Sequence, residues 1–248
     1  MSETNKESLS IRISKITVKA LGLILVFGTI IFFLWRAFIS TIIPAEVDGL
    51  AMNDNLHSAW QTAEAAGENL TIYSQAQGDT TSAEKNYSYF SALNVSFIDE
   101  ADQVQVLFRY NNATLRHLKE DYGLPANPDR HGDYFDVTLV VAYDLTPDIT
   151  ADNLKSEPGS VKLVRYHATA SETAETLLYN YRRLTFDGID MTVTENPVLA
   201  VYVDVYYLED LDYEKDSYGT LCIYDYITET NYAELTKKDR EALASYKK

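Results

Sequence analysis

L-A-V-Y-V-D-V-Y-Y, residues 199–207, alternates without a break. Leu199, Val201, Val203, Val205 and Tyr207 fall on one parity, and Ala200, Tyr202, Asp204 and Tyr206 on the other. Side chains two apart share a face of an extended strand, so the run offers an aliphatic row to a core and an aromatic–polar row to the opposite side. The same period recurs upstream. Val104, Val106, Phe108 and Tyr110 alternate with Gln103, Gln105, Leu107 and Arg109; Phe135, Val137, Leu139 and Val141 alternate with Asp136, Thr138 and Val140. Shorter runs at 70–74, 92–98, 161–167 and 219–227 are further expected strands. Asp187-Gly188 separates T-L-L-Y-N-Y-R-R-L-T-F from I-D-M-T-V-T. Asp-Gly suits the positive φ of a two-residue turn, so these two runs are expected to pair as an antiparallel hairpin. About eight strands with hairpin and loop connections, and no long helix between successive strands, predict a mainly β fold. The expected architecture is an antiparallel, jelly-roll-like β-sandwich rather than a parallel α/β sheet.

Short helices interrupt this pattern. Asn112 to Tyr122 carries Leu115, Leu118 and Tyr122 on one face and stops at Gly123-Leu124-Pro125. Thr236-x-x-Asp239 resembles a capping box opening a C-terminal helix. Asp54 is placed to cap a helix carrying Leu56, Ala59, Trp60 and Ala63, with Gly67 as its stop. Its narrow, Ala-rich apolar face suits either a stalk or a helix packed on the following domain.

Ahead of all this lies A-L-G-L-I-L-V-F-G-T-I-I-F-F-L-W, residues 20–35, with no charge. From Thr17 to Trp35, at about 1.5 Å per residue, the run matches the hydrocarbon thickness of a bilayer. It is too long for the apolar region of a cleaved signal peptide, and no convincing small-x-small site follows it. Lys6, Arg12, Lys15 and Lys19 precede it, whereas Arg36 is followed by Glu46, Asp48 and Asp54. Basic residues stay on the cytoplasmic side, so the N-terminus is expected inside and the chain from about residue 44 outside. The expected division is a cytoplasmic head at 1–16 and a transmembrane signal anchor at 17–43. A juxtamembrane helix or stalk follows at 44–68, then the extracellular sandwich at 69–230 and a C-terminal helix at 231–248.

The 248 residues carry a net charge of −16. Beyond residue 44 there are 16 Lys/Arg and 35 Asp/Glu, about −19 for the exported part. That balance disfavours nucleic acid and anionic polymers as bulk partners. The single cysteine, Cys222, excludes an internal disulfide and reads as a small buried hydrophobe. An exported domain without disulfides leans toward a bacterial surface. Four N-x-S/T sequons stand at Asn69, Asn86, Asn94 and Asn112.

No G-x-S-x-G, H-E-x-x-H, C-x-x-C or Gly-rich phosphate loop occurs. His57, His117, His131 and His167 lie in different elements without metal-ligand spacing. Three clusters remain. Asp210, Asp212, Glu214 and Asp216 alternate before Gly219 and are the candidate Ca²⁺ ligands, although Lys215 stands where an EF-hand needs Gly; a charged hairpin tip explains them as well. Asp129, His131, Asp133 and Asp136 precede a strong strand, where loops often hold sites but where such residues also make ordinary turns. Tyr202, Asp204 and Tyr206 share one face and form the candidate ligand platform, since tyrosine offers a flat apolar ring with a polar tip.

These readings converge on a non-enzymatic binding or assembly module of the cell envelope, anchored in the cell membrane by one span. Its expected partners are the membrane and an envelope glycan or partner membrane protein. One rival is a surface-polymer hydrolase with paired carboxylates, Asp133 with Asp136 or Asp204 with Glu209. Another is a structural subunit whose span packs on partner helices; Gly22 and Gly28 are spaced wrongly for a close-packed dimer face.

Overall fold

The computed structural model describes residues 9–76, 90–111, 135–143, 162–176, 178–189, 198–205, 217–223 and 232–247. It divides into two compact units, Met1–Ile43 and Pro44–Lys248.

The first unit holds helix α1, Leu9–Thr41. Thr17–Ile39, 23 residues, is long and apolar enough to cross a membrane. The span runs four residues past Trp35, through Arg36, Ala37, Phe38 and Ile39. Leu21, Leu25, Ile31, Phe33 and Phe38 are all exposed within the protein. The Thr29 hydroxyl donates to the Leu25 carbonyl at 2.7 Å. That bond satisfies the Thr29 donor, as a hydrocarbon setting requires.

The second unit is mainly β and antiparallel. Its strands are β1 (Ile72–Ala76), β2 (Phe90–Ile98), β3 (Gln103–Asn111), β4 (Phe135–Tyr143) and β5 (Lys162–His167). They continue with β6 (Ala170–Glu175), β7 (Tyr179–Asp187), β8 (Val198–Val205), β9 (Ser217–Ile223) and β10 (Tyr232–Ala233). One sheet runs β10-β1-β2-β3-β7-β6 and the other β5-β4-β8-β9. Between β5 and β6 the chain passes from the smaller sheet to the larger in the two residues Ala168 and Thr169.

In the larger sheet, Val104, Val106 and Phe108 lie beside Phe97, Val95, Leu184 and Phe186, all buried. The opposite face is polar and yet also buried. Gln103 and Gln105 are 0% exposed there, beside Asp187, Thr185 and Ser96. In the smaller sheet, Val137, Leu139 and Val141 oppose Val203, Val201 and Leu199. Their other row, Asp136, Thr138 and Val140, opposes Asp204, Tyr202 and Ala200 on one side. On the other side, Thr138 and Val140 oppose His167 and Arg165.

Helix α2, Asp54–Ala66, is packed into this unit. Leu56 and Ala63 are buried with Leu70, Ile72, Ile98, Ala101, Leu235 and Leu243. The cap is Asn53, one residue earlier than expected, and its side chain accepts from Leu56 N at 2.8 Å. Asp54 becomes the first helical residue, where its charge meets the positive end of the helix dipole. Gly67, at φ 75°, ends the helix; its N–H and that of Glu68 bond back to Glu64 and Ala63. Helix α3, Lys237–Ser245, opens on Thr236, whose hydroxyl accepts from Asp239 N.

A further expectation changes. β7 has no edge left for a partner following Asp187-Gly188, because Asn180 to Thr185 pair with β3 on one edge and β6 on the other. Strand β6, A-S-E-T-A-E, had no apolar alternation to announce it. The expected helix at 112–122 lies outside the described residues.

Candidate functional site

Residues 44–53 follow α1 and form a strap over the polar face of the larger sheet. Irregular backbone has no ladder to satisfy it, so buried N–H and C=O groups need side-chain partners. Gln105 supplies two: its carbonyl accepts from Ala51 N at 2.7 Å and its amide donates to Ala51 O at 2.9 Å. Arg183 donates to Val47 O through Nε at 3.3 Å and a terminal nitrogen at 3.1 Å. Asp239, on α3, accepts from Leu50 N at 2.9 Å. Lys238 Nζ donates to the carbonyls of Ala45 and Asp48. Gly49 sits at φ +105° with Asp239 Oδ1 at 2.7 Å from where a Cβ would stand. Only glycine fits that close approach.

The strap runs into a second cluster around Asp187, at the end of β7. Its carboxylate accepts from Gln103 at 2.6 Å, Asn55 at 3.0 Å, Thr169 at 2.5 Å and Asn53 at 3.5 Å. Partial burial pushes the Asp187 pKa up, but the bonds from Thr169, Gln103, Asn55 and Asn53 favour the charged form and hold it below the usual aspartate value. Gln103 also receives a bond from Gln105 at 2.8 Å, so both clusters form one network. Burial lowers the Arg183 pKa to about 10 against the opposing pull of Asp239, Asp48 and Glu172, so the guanidinium stays charged at neutral pH.

Sequence reasoning missed most of this. Gln103 and Gln105 read as the solvent row of a half-buried strand, Asp187 as a turn residue and Asp239 as a cap. The available signal was the Q-V-Q-V spelling, which places two amides in line on one face.

The expected platform is partly placed. Tyr202 and Asp204 stand on β8 opposite Thr138 and Asp136. Thr138 itself is 0% exposed. Tyr206 lies outside the described residues, as do Asp210, Asp212, Glu214 and Asp216 of the acidic cluster and Asp129, His131 and Asp133 of the other. Asp136 is described: its Oδ2 is 3.4 Å from His167 Nδ1, and Arg165 donates to the Thr138 hydroxyl at 3.1 Å. The fold thus gathers Asp136, His167 and the backbone position of Asp204 at one end of the smaller sheet. Sequence spacing had kept these three apart. Elsewhere tyrosines serve packing: Tyr110 and Tyr181 are 1% exposed, and Arg109 lies 4.4 Å over the Tyr179 ring. Asn94, one of the sequons, spends its amide on Ser74 at 2.9 Å.

Comparison with protein-family models, with curated proteins and with solved structures found no match.

Proposed function

We propose that this chain is a single-pass protein of the cell membrane whose β-rich unit is an extracellular, non-enzymatic binding or assembly module of the cell envelope. The strap carries the reading. Residues 44–53 follow the apolar helix directly, and side chains of β3, β7 and α3 hold their backbone. The β-rich unit therefore begins within a few residues of the apolar helix, as expected of a domain carried on a membrane anchor. The basic residues before the span and the acidic excess after it support an outward-facing unit. The apolar rows of the two sheets support a jelly-roll-like sandwich, each row needing cover from the other. The ligand is an envelope glycan or a partner membrane protein, and Tyr202, Asp204 and Tyr206 are the residues we assign to its contact.

The test is crosslinking in intact cells followed by affinity purification of the tagged full chain. Recovery of a partner that is lost with Tyr202→Ala and Tyr206→Ala, in a folded protein, is the expected result. Recovery that persists with the span alone would replace this reading by that of a membrane-embedded structural subunit.

A hydrolase acting on a surface polymer is the second reading, favoured by one observation. Asp136 and Asp204 are direct cross-strand partners, and such positions have Cβ atoms about 4.5–5.5 Å apart. Retaining glycosidases hold their carboxyl groups about 5–5.5 Å apart. Release of reducing ends from envelope polysaccharide, abolished by Asp136→Asn, would establish it.

A further inference from the structure

α2 and α3 flank an open cavity of about 360 Å³ that belongs to neither the strap network nor the β8 strand. Leu70 and Leu235, both buried, form its floor. Trp60 and Glu64 stand one turn apart on α2, and Glu68 and Asn69 follow the Gly67 stop. Arg240 faces them from α3. The helix stops at Gly67, and Glu68 beyond it lines the same cavity as Glu64.

The chemistry of the lining is mixed. Glu64 and Glu68 are acceptors only, Arg240 a donor only, and Asn69 both. Among the described residues neither glutamate carboxylate has a hydrogen bond or ion pair. Arg240 uses Nε on Leu235 O at 3.1 Å, and one terminal nitrogen lies 3.7 Å from Glu234. Its other N–H groups keep donor capacity. A bare cation would use the carboxylates but meet the Arg240 charge. A ligand whose every hydroxyl both donates and accepts uses the whole set, and the Trp60 indole suits the apolar face of a ring. The volume sits near the lower end of the roughly 300–1,000 Å³ typical of small-molecule sites.

We propose that this cavity is a sugar-binding subsite, with Trp60 as the stacking ring and with Glu64, Glu68 and Arg240 bonding hydroxyl groups. The proposal takes its setting, the envelope, from the reading above, but it does not depend on Tyr202 or Tyr206. The full chain in nanodiscs, which avoid sugar-headed detergents, is prepared with Trp35→Phe so that Trp60 is the sole indole. Glucose, N-acetylglucosamine and their β-linked dimers are titrated against Trp60 emission, with spermidine as the cationic control. A saturable response to a sugar, about tenfold weaker in Glu64→Gln/Glu68→Gln, is the expected result, since bonds to charged acceptors are the stronger class. The Arg240→Gln chain should weaken the same response. Silence toward every sugar, a response to spermidine alone, or a sugar response indifferent to the double glutamine variant would each overturn the assignment. The double variant leaves the strap and β8 intact, so partner recovery in cells reports separately on the function proposed above.

Discussion

Gly49 and Gln105 hold the strap by different physics, and each has its own expected failure. Gly49→Ala places a Cβ 2.7 Å from Asp239 Oδ1 on backbone at φ +105°. A strained position of this kind costs about 1–3 kcal/mol, read as a lower urea midpoint with an unchanged slope. Gln105→Leu keeps the volume but leaves Ala51 N–H and C=O without partners in a buried setting. Each such group costs about 1–3 kcal/mol, so this apparently conservative swap should destabilise at least as much as the glycine change. Asp187 gives a pH prediction. Its folded pKa lies below the unfolded one, so its contribution is fully present above the unfolded value of about 3.9 and is lost as pH falls through the folded value. Asp187→Asn should therefore lower stability at neutral pH and flatten the acid limb of the stability curve, measured by denaturation from about pH 2 to 7. A limb as steep as the parent's would mean that another carboxylate governs it.

At the scale of elements, what was legible depended on whether a strand's sequence alternates apolar and polar side chains. β3, β4 and β8 alternate cleanly and were found in the right places. β6 was invisible because it is an edge strand: five of its six residues are exposed, and its hydrogen bonds to β7 need no apolar spelling. The Asp187-Gly188 turn was misassigned because local φ preference says nothing about which strand edges are already taken. α2 was placed to within a residue, since Asn53 and Gly67 both carry local signals. Its role was not legible, because a narrow Ala-rich face is compatible with water or with a neighbour. That role gives a further prediction. Leu56 is 0% exposed among the α2, β1 and α3 residues, so Leu56→Ala should cost about 2–5 kcal/mol. Thr236→Ala removes the α3 cap together with the hydroxyl's bond to the Asp239 carboxylate, and should cost about 1 kcal/mol. Thermal denaturation of both variants separates a core loss from an end-fraying loss.

For the whole molecule, the candidate site splits between what composition announces and what only topology assembles. The apolar span is written plainly in the sequence, and the charges around it set an expected direction. External protease on intact cells should remove the β-rich unit and spare a tag at the N-terminus; the reverse pattern would invert the orientation. The polar network is another matter. It joins residues 47, 51, 53, 105, 183, 187 and 239, and no window of sequence contains them together.

The bond from Leu50 N to Asp239 Oδ1 spans 189 positions of chain. At synthesis rates of about 5–20 residues per second, Leu50 is made roughly 10–40 s before its partner. The strap is thus among the first parts of the β-rich unit to be born and among the last to be finished. A nascent chain whose opening segment must wait for its closing helix needs protection in the interval.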